Sequence, residues 1–98
     1  MKKCCEEWLK SQFGDDPETI VAVYAEYVDT IADLKQQLAA ARAGGDPAVL
    51  DRVLHTIKGS AAMAGDAELS ALAQNARGTN DAALLDTLDR CLQFEEML

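Results

Sequence analysis

His55 and Lys58 are the residues of this sequence whose types and spacing could do chemistry. An imidazole is largely neutral at neutral pH, and the neutral ring is a nucleophile that can form a covalent bond to phosphorus. Residues three or four apart on a helix are neighbours, so Lys58 can place its ammonium beside His55. The ammonium would stabilise negative charge on phosphoryl oxygens. The pair therefore predicts a residue that carries a phosphoryl group.

The predicted helix surface around His55 is flat and built from small residues. With 100° per residue and Leu50 at zero, His55 lies at about 140° and Gly59 at about 180°, away from the core. Ala62 follows on the same face, at about 120°. A glycine inside a helix costs about 0.5–1 kcal/mol relative to alanine, and core packing does not justify one that points outward. We interpret Gly59 as clearance for another molecule.

The sequence lacks the signatures of ATP chemistry. It has no Gly-rich phosphate loop, no GxxxxGK(S/T) sequence and no carboxylate cluster that would hold magnesium. We therefore expect a passive carrier and not an enzyme, with no metal site and no cofactor of its own. Magnesium and the acid would come from the partner protein.

Each of these residues also has an ordinary explanation when taken alone. A single exposed histidine or lysine on a helix is most often a solvated surface residue. Ser60 could donate a hydrogen bond to a helix carbonyl. The functional interpretation depends on the combination of an exposed His55 with a lysine at +3, a glycine at +4 and a small residue at +7.

Size and charge narrow the classes of protein. The chain has 98 residues with a hydrophobic fraction of 49%, which predicts one domain over residues 1–98 with a real core. Lys and Arg number 9 against 17 Asp and Glu, which gives a net charge of -8. This balance argues against nucleic acid as a partner and against docking to anionic membranes, since both need a basic face.

The sequence contains no signal for export or membrane insertion. No apolar run approaches the roughly 20 residues of a membrane span, and residues 1–7 have no apolar stretch behind their lysines. We expect a cytoplasmic protein, and the Met start and compact ends favour a free-standing module. Cys4, Cys5 and Cys91 make a poor disulfide or metal framework, so we expect packing or incidental thiols.

Turn residues divide the chain into five predicted helices. The first covers 5–13 and is followed by Gly14. An acid and then Pro17 start the second, which ends at Gly44, and the same signal starts the third, over 47–64. Gly65 separates the third from the fourth, which ends near Gly78, and the fifth opens at 79–81.

The second helix has the strongest pattern, an unbroken apolar heptad that predicts one long helix in a left-handed bundle. The heptad residues are Ile20, Tyr24, Tyr27, Ile31, Leu34, Leu38 and Ala41. The core stripes of the later helices are Leu50, Val53, Leu54, Ile57, Ala61, Ala64, Leu69, Leu72, Ala73, Ala76, Leu85, Leu88 and Leu92. Short turns predict antiparallel neighbours. The predicted fold is all-α, an antiparallel up-down four-helix bundle with a short additional N-terminal helix.

The stretch from His55 to Gly65, HTIKGSAAMAG, resembles the motif of the histidine-containing phosphotransfer (HPt) domain, which is His-x-x-Lys-Gly-Ser with a closing glycine. The resemblance implies that His55 accepts and donates the phosphoryl group with Lys58 nearby. It also implies that Gly59 gives clearance and that Ser60 holds the local helix or the contact. The partners implied are response-regulator receiver domains, which bring the magnesium, and a sensor or hybrid histidine kinase. The expected partner-binding residues are Asp51, Arg52, Gly59, Ser60, Ala62 and Met63.

The sequence also departs from relatives of this kind. The HPt-like domains of chemotaxis kinases usually have Gly-Gly after the lysine, and they use a glutamate at the position of Arg77 to orient the histidine. Arg77 therefore disfavours a chemotaxis-kinase domain. It leaves open how the second ring nitrogen of His55 is held and which nitrogen is modified.

Two other functions stay open beside a monomeric phosphorelay carrier. One is a regulatory bundle that docks receivers without being phosphorylated. The other is a structural bundle that self-associates through exposed apolar residues such as Trp8, Phe94 or Met97.

Overall fold

A computed structural model describes residues 1–78 and 81–92, and these ranges contain helices and no strand. The helices are α1 (Lys3–Phe13), α2 (Pro17–Gly44), α3 (Pro47–Met63), α4 (Ala67–Ala76) and α5 (Ala82–Cys91). The predicted all-α class is confirmed. The first helix begins at Lys3, two residues earlier than predicted, and α3 ends at Met63 with Ala64 as its C-cap. None of the helices in these ranges is long and apolar enough to cross a membrane.

Aspartates begin four of the five helices, as the turn signals predict. The side chains of Asp16, Asp46, Asp66 and Asp81 each accept a hydrogen bond from a backbone N–H in the first turn. Such caps satisfy donors that have no partner inside the helix. Thr79 and Asn80, which the sequence also places at the opening of α5, lie outside the described residues.

α2 is a single helix of 28 residues. All seven residues of the predicted heptad are buried, and so are the predicted core residues of α3. The stripes of α4 and α5 are buried too, except that Leu72 is half-buried. The period of the apolar residues therefore placed the core correctly.

Ion pairs show how α2 lies against α5. Lys35 pairs with Asp89 at 2.9 Å, and Arg42, further along α2, pairs with Asp86 at 2.9 Å. The two helices are antiparallel because the numbers rise along one and fall along the other. α3 packs against α2 and α4, and α4 packs against α5. The closed four-helix arrangement stays a prediction.

The carboxylate of Asp66 ties the N-terminus to the turn between α3 and α4. Asp66 is fully buried, and it accepts hydrogen bonds from Lys2 Nζ at 2.7 Å and Tyr27 Oη at 2.8 Å. Burial lowers the pKa of Lys2, but the hydrogen bond and charge of Asp66 outweigh this and raise it overall. Burial, with the charge of Asp66 second, raises the pKa of Tyr27. Three segments that are distant in sequence therefore meet at one buried carboxylate.

Trp8 on α1 packs against Gly65, which precedes Asp66 in the turn between α3 and α4. Gly65 has φ +76°, and a Cβ atom built on it would collide with Cβ and Cγ of Trp8. Trp8 itself is half-buried against the core, so it is not the exposed apolar residue that self-association through this position would need. Phe94 and Met97, the other two residues suggested for that role, lie outside the described residues.

Gly65→Ala is expected to destabilise the fold more than Gly45→Ala. Gly45 also has a positive φ, +71°, but a Cβ there would meet no atom within 4 Å. The control should therefore lose about 1 kcal/mol from backbone strain, whereas Gly65→Ala should lose about 3 kcal/mol because Trp8 must also move. Urea unfolding of both variants measures the difference. Equal losses would show that the contact between Trp8 and Gly65 contributes nothing.

Candidate functional site

His55 stands on the exposed side of α3. The opposite side of the helix is buried against the core through Leu50, Val53, Leu54, Ile57 and Ala61. His55 and Gly59, one turn later, are both exposed, as the helical period predicts. The core face of α3 therefore fixes the direction in which the imidazole points.

The surface beyond His55 is open. A Cβ built on Gly59 would meet no atom within 4 Å, so no contact within the described chain requires a glycine at this position. Ala62 is exposed, and Met63 is 77% exposed. The flat surface of small residues that we predicted beside His55 is therefore present at Gly59 and Ala62. Gly59 lowers the stability of the helix, and packing among the described residues does not explain its presence.

Lys58 does not hydrogen-bond to His55, although the spacing places the two residues as neighbours on α3. Within residues 1–78 and 81–92, its ammonium has no hydrogen bond or ion pair with the imidazole. The side chain is half-buried and lines an open groove between α3 and α4, together with Trp8 and Gln74. The Lys58 carbonyl accepts a hydrogen bond from Ser70 Oγ at 3.2 Å, which ties the two helices together. Lys58 thus lines the groove beside the site, and no described contact joins its ammonium to the ring.

Arg77, just beyond the end of α4, contacts the imidazole instead. Its Nη1 lies 3.1 Å from Nδ1 of His55. The same guanidinium donates from Nε to Asp51 Oδ1 at 3.1 Å and from Nη2 to Asp51 Oδ2 at 3.2 Å. The three side chains form one cluster, which we call the Asp51–Arg77–His55 cluster.

Within this cluster the charges of Asp51 and Arg77 stabilise each other. The hydrogen bond from Arg77 is the main cause of a lowered pKa for Asp51. The hydrogen bond to Asp51 raises the pKa of Arg77. A guanidinium held by both oxygens of a carboxylate is well fixed in direction. Nδ1 of His55 is therefore directed at α4, and no described residue hydrogen-bonds Nε2.

The remaining predicted partner-binding residues surround the imidazole on α3. Arg52 is exposed, and its carbonyl accepts a hydrogen bond from Thr56 Oγ1 at 3.0 Å. Ser60 is half-buried, and within the described ranges its hydroxyl makes no hydrogen bond to a helix carbonyl. Asp51, predicted to face a partner, is engaged by Arg77 instead of being free.

Arg77 is the site residue that the sequence did not identify. The comparison with chemotaxis kinases marked its position as the one that orients the histidine, but an arginine there gave no sign of which atoms it would contact. The described residues contain no group of three or more His, Cys, Asp or Glu side chains that could hold a metal ion. The three cysteines are free thiols.

Comparison with known proteins supports one family. A family model described as the Hpt domain matches residues 22–98, which is well over half of the chain and includes α3, α4, α5 and most of α2. Neither the curated proteins nor the solved structures searched gave a match. Hpt domains are phosphoryl carriers of phosphorelays and not kinases. The chain belongs to the Hpt domain family.

Proposed function

We propose that this chain is a phosphorelay carrier that accepts a phosphoryl group on His55 from a receiver phospho-aspartate and passes it to another receiver. The observation that carries the proposal is the exposure of His55 on an open α3 surface, in a chain of the Hpt domain family. No contact among the described residues explains Gly59, which supports a docking surface at the same place.

Nε2 is the nitrogen we assign to the reaction. Nδ1 lies against Arg77, so Nε2 is the ring atom that a partner can reach. The lone pair of Nε2 attacks phosphorus, the N–P bond forms, and the O–P bond of the carboxyl phosphate breaks with its electron pair on the departing carboxylate. Magnesium and the carboxyl phosphate belong to the receiver, so this chain contributes position and charge.

Lys58 would act on the phosphoryl oxygens and not on the free imidazole. Its half-buried stem lines the groove beside the site, which leaves the ammonium without a bond to the ring. A partner that closes over His55 would bring phosphoryl oxygens into reach of this charge in a less polar setting, where it counts for more. The receiver would contact Arg52, Gly59, Ser60, Ala62 and Met63, with Asp51 at the margin.

The proposal also covers the arrangement of the helices, the partners and the location of the protein. We place α2, α3, α4 and α5 in an up-down four-helix bundle with α1 laid across it, supported by the antiparallel ion pairs between α2 and α5. Receiver domains and a sensor or hybrid histidine kinase would be the partners of a monomer in the cytoplasm.

His55→Gln is expected to abolish phosphorylation without loss of the fold, because His55 is exposed. Purified protein would be incubated with magnesium and a panel of receivers phosphorylated by acetyl phosphate, and read by intact mass and acid lability. Wild type should gain one acid-labile phosphoryl group. Receiver binding without any gain in wild type would instead support a docking-only bundle.

Lys58→Ala is expected to slow transfer from a receiver by about tenfold, the effect of one lost charge-assisted contact in the transition state. The exposed Lys3 on α1 provides a control, and Lys3→Ala should transfer at the wild-type rate. Rapid-quench kinetics measure both. A Lys58→Ala rate equal to that of wild type would remove this ammonium from the mechanism.

Gly59→Ala is expected to stabilise the domain and impair transfer. The added methyl group would meet no described atom within 4 Å, so the free energy of unfolding measured in urea should rise by about 0.5–1 kcal/mol. The same methyl lies where the receiver would close, so transfer should slow. Gly44→Ala is the matched control, because Gly44 is also helical and open but lies at the end of α2. Unchanged transfer by Gly59→Ala would contradict the clearance role.

A further inference from the structure

We infer that Arg77 is a positioning residue that holds His55 in the tautomer unable to attack through Nε2, so that transfer requires Arg77 to withdraw from the ring. The inference rests on the proposed function, since it concerns the rate of phosphoryl transfer at the same nitrogen. It begins from one contact, the 3.1 Å approach of Arg77 Nη1 to His55 Nδ1.

The direction of this hydrogen bond is set by chemistry. A guanidinium has five N–H donors and no acceptor. Nδ1 must therefore supply a lone pair to Arg77, and a neutral imidazole that does so carries its proton on Nε2. A glutamate or glutamine oxygen at the same place would accept from Nδ1–H and select the opposite tautomer. The arginine thus reverses the polarity of the contact.

The selected tautomer is unproductive for attack. When Nε2 carries the proton it has no free lone pair to form the N–P bond. The proton must first occupy Nδ1, where it would be opposed to an N–H of Arg77. Arg77 and the reacting tautomer therefore exclude each other at Nδ1.

Asp51 can keep Arg77 bound after Arg77 has released His55. Its two oxygens already bind Nε and Nη2, so the guanidinium can release Nδ1 without losing its main partner. The side chains of Arg77 and Asp51 are 30% and 44% exposed, so water can replace Nδ1 as the partner of Nη1 when the guanidinium turns away from the ring. Asp51 lies one turn before His55 on α3. Arg77 can therefore leave the ring and remain bound to Asp51.

Both directions of transfer pass through this open state. In acceptance, Nε2 bonds to phosphorus as the carboxylate leaves with its electron pair, and the proton on Nδ1 is then lost to water. Arg77 can return to the bare Nδ1 of the neutral phosphoimidazole. In release, Nδ1 regains a proton before the N–P bond breaks. Arg77 is therefore expected to slow loading and unloading alike and to prolong the life of the phosphorylated state.

The tautomer can be measured without any partner. His55 is the only histidine in the sequence, so the ¹⁵N spectrum of an untagged protein reports one imidazole. At about pH 8.5, where a free imidazole is neutral, wild type should show a protonated Nε2 and an unprotonated Nδ1. Arg77→Gln, which offers an oxygen to Nδ1–H, should raise the Nδ1–H population several-fold, with Arg77→Met between the two. An unchanged ratio across the three proteins overturns the inference.

The rate test uses potassium phosphoramidate, a small donor that replaces the receiver and loses ammonia as the N–P bond to His55 forms. Arg77→Gln should react about tenfold faster than wild type, the effect of one exposed charge-assisted hydrogen bond. Asp51→Asn should react more slowly, because Arg77 then has only the ring to bind. If Arg77 instead stabilised phosphoryl charge, both signs would be reversed, and that result overturns the inference.

The experiments distinguish failure of the carrier role of His55 from failure of the positioning role of Arg77. His55→Gln serves as the unreactive blank in both assays. If no receiver transfers to wild type but the tautomer ratio and the phosphoramidate rates change as expected, the carrier role fails and the role of Arg77 stands. If receivers transfer normally and neither quantity depends on Arg77, the reverse holds.

Discussion

Asp66 is the buried charge on which the arrangement of the helices depends. Its carboxylate caps α4 through the backbone N–H of Leu69 and receives Lys2 from the N-terminus and Tyr27 from α2. Removal of a partner from the buried carboxylate of Asp66 leaves its charge less compensated, which costs more than the loss of a fully exposed pair. The start of α4 is therefore fixed, and with it the path by which Arg77 reaches His55.

The site combines a firmly packed helix, α3, with an open surface on its exposed side. α3 is held on its core face by five buried residues and tied to α4 by Ser70, so the imidazole has a fixed origin. Above it, Gly59 and Ala62 leave room that no described part of the chain fills. This separation suits a carrier, because the nucleophile is positioned within one protein while the reacting phosphate arrives with another.

The sequence predicted the helices and the core well because both follow from local rules. The heptad of α2 and the acidic caps each act within a few residues, so their outcome does not depend on the rest of the fold. The family match to residues 22–98 agrees with the motif that begins at His55. The contact between Arg77 and His55 was beyond such rules, since it depends on how far α4 is rotated about its axis. The contacts of Asp66 with Lys2 and of Trp8 with Gly65, at the turn that leads into α4, join residues far apart in the sequence. Lys58 was placed beside His55 by spacing alone, but its long side chain follows the groove.

The two ring nitrogens of His55 have different surroundings. Nδ1 lies against Arg77 at the end of α4, whereas no described residue hydrogen-bonds Nε2. Residues that touch one edge of the ring need not touch the other. Under the proposed function, a change at position 77 would alter the timing of phosphoryl transfer while the docking surface on α3 stays as it is. Drift at position 62 or 63 could change the partner and leave the timing intact. A ring with two separately controlled edges lets speed and specificity evolve independently.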